Sequence, residues 1–232
     1  MTADQAMRRV MLEGARSATP LAMAIVPFGL VYGVAVADSS VDAWLGLGAS
    51  WIVLAGAAQL TLLSLIDEGA TWPVVVGTAL LINARFALYS AALAPAFGRF
   101  PMRWRLGLSY LVTDQAASLA VVEFEVDRDP IRRRWWFFAA GMLIACGWWI
   151  GSVLGYALDG ALPNGLDIDV IVPVMFVALL VPTMVDRRAA VAAAVAGIVA
   201  IAGARLPSGL GIVIGAVLGI AVARWAGGAA RR

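Results

Sequence analysis

Long apolar runs, separated by short polar turns, govern what this chain can become. Runs at about 20–37, 43–66, 72–97, 104–122, 135–158, 168–185, 189–204 and 208–226 each approach the roughly 20 residues a helix needs to cross a bilayer core. A soluble fold has nowhere to put them. Of the 232 residues, 62% are hydrophobic and 14% charged, against roughly 45–50% and 25% in a soluble domain. A chain this short also keeps much of its surface exposed to solvent. The expected fold is therefore all-α: a polytopic integral membrane helix bundle of about eight transmembrane helices, some of them broken. Seven is the alternative count, because 189–204 is short and 72–97 is interrupted at Asn83. Residues 1–18 read as a cytoplasmic N-terminal interfacial segment, with Met7, Val10 and Met11 on one helical face. Residues 19–232 read as a single transmembrane domain.

Absences narrow the chemistry. There is no histidine and one cysteine, Cys146, so His- and Cys-based metal sites and an internal disulfide are excluded. No cofactor is implied. All 17 basic residues are Arg. Their excess fits the positive charge that collects on short cytoplasmic loops, so no nucleic-acid partner is inferred. Ala35-Val36-Ala37 looks like a cleavage site, but Pro20, Pro27 and the long charged start argue against a signal peptide.

With eight crossings and both termini inside, Arg8, Arg9, Arg16, Arg128, Arg132–Arg134, Arg187, Arg188, Arg224, Arg231 and Arg232 fall on the inner side. Arg99, Arg103, Arg105 and Arg205 fall outside. A re-entrant 72–97 would largely erase that bias. Trp44, Trp72, Trp104, Trp135, Trp136 and Trp225 mark span ends as an interfacial belt.

Two charges lie deep in apolar runs: Arg85, in Leu80–Tyr89, and Asp114, in Tyr110–Ala116. A centred charge costs roughly 2.5–3.5 kcal/mol on insertion scales, so both must face a polar cavity or each other. A purely structural ion pair fixing helix register is the plainer alternative. Tyr89 follows Arg85 by four residues, and Tyr110, Asp114 and Ser118 share that spacing, which places each set on one helix face. Asp114 is the one carboxylate deep inside a predicted span, Asp169 lying at the very edge of 168–185, and is the expected proton carrier. Arg85 is the expected partner of a solute carboxylate or of Asp114. Gln59 adds a buried amide that suits either a zwitterionic solute or an interhelical hydrogen bond.

Pro20, Pro27, Gly29 and Gly33 are expected to break span one, and Pro173 and Pro182 span six; broken spans free backbone groups that bind solute. Gly211, Gly215 and Gly219 read as a packing stripe. Gly29/Gly33 and Gly151/Gly155 are compatible with an internal repeat, and equally with the high glycine content.

Together these stretches resemble the AzlC family, the large subunit of branched-chain amino-acid exporters. The resemblance runs through Pro27-Phe28-Gly29, Ala55-Gly56-Ala57-Ala58-Gln59, Asn83-Ala84-Arg85 to Leu88-Tyr89, Pro95, Thr113-Asp114, Gly165-Leu166-Asp167 and Leu210-Gly211. It implies a multi-pass permease of the prokaryotic inner membrane, working with a small AzlD-type membrane subunit. The implied activity is secondary export of valine, leucine, isoleucine or methionine. Arg85, Asn83, Gln59, Tyr89 and Gly29 would surround the solute, and Asp114 would couple a proton. Phe86, Gln115 and Ser152 depart from the family's usual His, acidic residue and Thr, which bears on substrate and coupling ion more than on fold. A scaffold or channel subunit whose partner binds the solute is the alternative function. An intramembrane enzyme is disfavoured, because Asp114 has no second in-span carboxylate or histidine to work with.

Overall fold

The structure, a computed structural model, describes residues 3–159 and 187–203, with 214–215, 218–219 and 221–222 beyond them. Predicted span 168–185 and most of 208–226, with Pro173, Pro182, Gly211, Arg205 and Trp225, lie outside the described residues. The chain divides into two compact units, Met1–Val172 and Pro173–Arg232. Every described element is helical.

In the first unit, α1 (Ala3–Asp38) and α8 (Pro130–Leu158) are the long helices. At 36 and 29 residues they extend about 54 and 44 Å, more than a bilayer core requires. The expected break in span one is absent: Pro20 and Pro27 lie inside continuous α1. Membrane helices tolerate proline where local adjustments and neighbouring groups re-satisfy the freed backbone carbonyls; here Pro20 is exposed and Pro27 half-buried. The expected interfacial segment is simply the start of α1, with Val10 buried in the core.

α1 and α8 run parallel. Gly14 lies on Trp136, Gly29 on Trp148 and Gly151, and Gly33 on Ser152 and Tyr156. A Cβ added at Gly33 or Gly155 would fall 2.1 or 2.0 Å from a carbonyl oxygen across the seam. Lipid gives helices no hydrophobic drive to associate, so small residues that let backbones touch carry the packing. The likeness of Gly29/Gly33 to Gly151/Gly155 thus reflects two complementary halves of one interface.

Predicted span 43–66 is not a crossing. It is a hairpin of α2 (Ala43–Ile52) and α3 (Gly56–Asp67), 10 and 12 residues long, or about 15 and 18 Å, each too short to span. α2 starts beside the end of α1, where Gly46 abuts Val36 and its carbonyl accepts from the Tyr32 hydroxyl at 2.7 Å. The extended residue Val53 ends it. α3 begins deeper, with Gly56 on Phe28 and Trp148, and climbs back until Asp67 accepts from Ser40 N and Oγ at 2.8 and 2.6 Å.

α4 (Trp72–Asn83) and α5 (Arg85–Phe97) do cross, as one 26-residue apolar stretch. Ala84 between them keeps helical dihedrals, and Phe97 ends against Phe137 near the start of α8.

Predicted span 104–122 is a second hairpin, from the opposite end. α6 (Met102–Tyr110) and α7 (Asp114–Val126) are 9 and 13 residues long. α6 rises from Trp104 on Trp135 and Phe138 to Leu111 on Gly141. α7 starts behind the Thr113 cap, whose hydroxyl accepts from Ala116 N at 3.2 Å. It then returns to Phe124 on Trp136 and Phe137. Hydropathy is blind to the difference, because two half-helices and one through-helix bury the same apolar length.

The unit thus repeats a crossing followed by a re-entrant hairpin, in inverted orientation: α1–α3, then α4–α7. Inverted repeats of this kind build many transporters. The hairpin returns echo each other in sequence, Gly56-Ala57-Ala58-Gln59-Leu60 against Gln115-Ala116-Ala117-Ser118-Leu119.

This topology also reassigns the charges. Arg99 joins Arg128 and Arg133 around one cavity, so Arg99, Arg103 and Arg105 belong to the end that holds Arg8, Arg9, Arg16 and Arg132–Arg134. The other end carries Asp38, Asp42, Asp67, Glu68 and Asp159, with no Arg among the described residues of this unit. Exposed Trp44 and Trp72 suit the belt, but Trp136 is a core residue.

In the second unit, Gly215 and Gly219 pack on α9 (Arg187–Ala202), where an added Cβ would fall 2.5 and 2.6 Å from the Ala196 and Ala192 carbonyl oxygens. This part of the glycine stripe is a packing face.

Candidate functional site at the broken helices

Arg85 opens α5 midway along the α4–α5 crossing, and Asp114 opens α7 at the apex of the second hairpin. The structure brings them together: Arg85 Nη2 lies 3.2 Å from Asp114 Oδ2. Their helix positions make the pair asymmetric. A carboxylate is stabilised at a helix N-terminus and a guanidinium is not. Asp114 is therefore at home on α7, whereas Arg85, where α4 runs into α5, has the carbonyl end of one helix before it and the amide end of the next after it and relies on an anion for its charge. The guanidinium also stacks over Phe86 at 5.5 Å. Phe86 thus occupies the position after the Asn-x-Arg motif with a π-face toward Arg85.

Tyr89 lies against the Asp114 carboxylate, so the four-residue spacing from Arg85 held. Asn83 closes α4 one residue before the break. There the ladder tightens to i→i+3 bonds, Ala84 N to Leu81 O and Ala87 N to Ala84 O, at 3.3 and 3.1 Å. Such short tight turns inside a helix mark hinges and sites. Three buried atoms here have no hydrogen-bond partner: Asn83 Oδ1, Arg85 Nε and Asp114 Oδ1. One donor and two acceptors left open around an ion pair are what an incoming ammonium or carboxylate group can satisfy.

The other predicted positions lie elsewhere. Gln59 locks the first hairpin: with its amide oriented to satisfy both groups, Nε2 donates to the Val53 carbonyl at 2.9 Å and Oε1 accepts from Ser50 N at 3.2 Å. Gly29 is a contact in the α1–α8 seam. Tyr110 does not share a face with Asp114, because residues 111–113 break the helix between them. Ser118 instead bonds back to Gln115 O at 2.8 Å, and Ser152 to Trp148 O within α8.

Sequence reasoning missed how the hairpin tips are closed. The last carbonyls of a helix have no partner of their own. Those of α2 are taken by side chains from three other helices. Trp149 Nε1 donates to Ser50 O at 3.0 Å, the Tyr110 hydroxyl donates to Trp51 O, and Gln59 reaches Val53. Trp51 and Trp149 also stack, with centroids 4.3 Å apart. The apices of the two hairpins therefore touch through Tyr110. The available signal was a tyrosine and a tryptophan inside apolar runs, each needing a hydrogen-bond partner when buried.

A cleft of about 290 Å³ separates antiparallel α5 and α6. It runs from Gly98, Met102 and Arg105 at the Arg-rich end to Ser90 and Val112, beside Tyr89 and within two residues of Asp114.

Broken helices meeting around an ion pair midway along an apolar crossing belong to a helical membrane protein. The chain belongs to the AzlC family: residues 20–162, more than half of it, match the AzlC protein. This is a family of membrane transport. The chain is also similar to an uncharacterized membrane protein of Helicobacter pylori strain ATCC 700392 / 26695, at 26% identity over 55% of this chain and 54% of that protein. Its counterpart in strain J99 / ATCC 700824 is 27% identical over the same shares. The chain thus spans about half the length of these curated relatives. No solved structure gives a significant match.

Proposed function

We propose that this chain is the permease subunit of a secondary exporter for branched-chain and similar hydrophobic amino acids, valine, leucine, isoleucine or methionine. The observation that carries the reading is the set of open polar atoms around the Arg85–Asp114 pair. A zwitterion can insert there, its carboxylate on Arg85 and its ammonium on Asp114, exchanging one ion pair for two. Asn83 and Tyr89 orient the solute, and Asp114 is the proton carrier. Gln59 and Gly29 act indirectly, by holding the hairpin and the seam. The α5–α6 cleft is the approach from the Arg-rich end, which faces the cytoplasm by the positive-inside rule. The α4–α5 crossing is largely uncovered by the other described residues, which supports association with a small AzlD-type membrane subunit in a prokaryotic inner membrane.

The test is efflux from proteoliposomes loaded with labelled valine, leucine or methionine, with and without the small subunit and a pH gradient. Wild type should empty the vesicles, and Arg85→Ala and Asp114→Asn should not, although both insert. Retention of all three solutes by wild type under every condition would overturn the reading. Efflux that needs the partner yet survives both substitutions would instead identify a scaffold.

A further inference from the structure

A second cavity, about 450 Å³, opens between α5 and α7 at the Arg-rich end. Its mouth carries Arg99, Arg128 and Glu125, with Arg133 below. Its floor is buried Leu93, Ala96 and Phe124. Its walls are Ala92, Pro95 and Val121. Val121 and neighbouring Leu88 and Val122 are exposed on the outside of the helices, so the groove opens laterally, toward lipid.

The charges at the mouth are only partly compensated. Among the described residues neither Arg99 nor Arg128 forms an ion pair, whereas neighbouring Arg132 is held by Glu13 and Asp127 at 3.1 and 2.6 Å. Arg133 is fixed in place: it donates to the Phe124 and Asp127 carbonyls and stacks over Phe124 at 5.0 Å. Two of its five N–H groups are occupied by those bonds. Three Arg against Glu125, with Asp127 beside Arg133, leave the mouth net positive over an apolar floor.

We propose that this groove binds an anionic phospholipid, its phosphate between Arg99 and Arg128 above Arg133 and one acyl chain along Ala92, Pro95 and Val121. Basic pockets between transmembrane helices at the cytoplasmic end recognise such headgroups. A free phosphate would use the arginines but leave the apolar walls empty.

The test is native mass spectrometry of the full chain, released from detergent with phosphatidylglycerol or phosphatidylcholine. Wild type should retain phosphatidylglycerol and not phosphatidylcholine. Arg99→Gln/Arg128→Gln should weaken retention about thirtyfold, from roughly a factor of five per arginine near the surface. Arg8→Gln/Arg16→Gln removes the same charge from α1 and should change retention less than twofold. Equal loss in both double variants would reduce the effect to bulk surface charge and overturn the site. So would equal retention of the neutral lipid. Displacement of phosphatidylglycerol by millimolar inorganic phosphate would refute the lipid in favour of an anion. A matching melting temperature for both double variants excludes misfolding as the cause.

Discussion

Removing one partner of the Arg85–Asp114 pair should not be symmetric. A charge left alone at the bilayer centre costs roughly 2.5–3.5 kcal/mol. The two side chains keep 31% and 36% of their surface exposed, which scales that to about 2 kcal/mol. Asp114→Asn should cost this in full, because Arg85 cannot shed its charge. Arg85→Gln should cost only about 1 kcal/mol, because an isolated carboxylate can bind a proton and Asp114 has the N-terminus of α7 beside it. Arg85→Gln/Asp114→Asn should cost about 1 kcal/mol or less, a coupling of about 2 kcal/mol. The assay is reversible unfolding in mixed micelles for all four proteins, with efflux measured on the same preparations. Additive single losses would refute the pairing. A double variant that recovered both stability and efflux would show the pair to be a structural strut, and would remove it from the proposed transport site.

Other expectations follow from the same geometry. Gly155→Ala should lose about 1–3 kcal/mol by overpacking, because its Cβ would meet the Leu30 carbonyl at 2.0 Å; Gly77→Ala and Gly107→Ala, with nothing within 4 Å, should be neutral in the same melts. In a Cys146→Ala background, Ser90→Cys and Ser109→Cys should react with an impermeant thiol reagent added at the Arg-rich end and not at the other. Reaction from the opposite end alone would place the cleft wrongly. For Asp127, burial raises the carboxyl's affinity for protons, but the bonds from Arg132 and the Asp129 amide outweigh it and hold the group below the usual carboxylate range. A depressed folded value means its stabilisation is complete above about pH 5 and is lost as pH falls below about 4. Asp127→Asn should therefore flatten the acid limb of the stability–pH curve, and an unchanged limb would argue against it.

The charged pair was legible because charge in an apolar run has few solutions. Arg85 and Asp114 had to meet a cavity or each other, and Tyr89 followed by helical spacing. Topology was not legible from hydropathy. The hairpins at 43–66 and 104–122 have the apolar length of a crossing, and their breaks, Val53–Ala55 and Leu111–Thr113, contain neither proline nor a run of glycines. The prolines misled: Pro20, exposed, and Pro27, half-buried, both lie inside an unbroken helix. Gln59 was correctly expected to be buried, but which groups it would satisfy depended on a carbonyl end that exists only because the chain turns back. The Arg residues segregate more strictly than the predicted topology allowed: in the first unit Arg99, Arg103 and Arg105 lie at the same end as Arg128 and Arg133, not opposite them.

The parallel seam between α1 and α8 has a consequence in time. Glu13 and Arg132, which join across its open end, are 119 residues apart in the chain. At roughly 5–20 residues per second of synthesis, α1 waits about 6–24 s for its partner to be made. Throughout that interval its glycine groove and its two proline-freed turns face lipid or the insertion machinery. Until then α1 has only Arg8, Arg9 and Arg16 at one end and the α2–α3 hairpin at the other to hold its place, and its seam is written for a neighbour that does not yet exist.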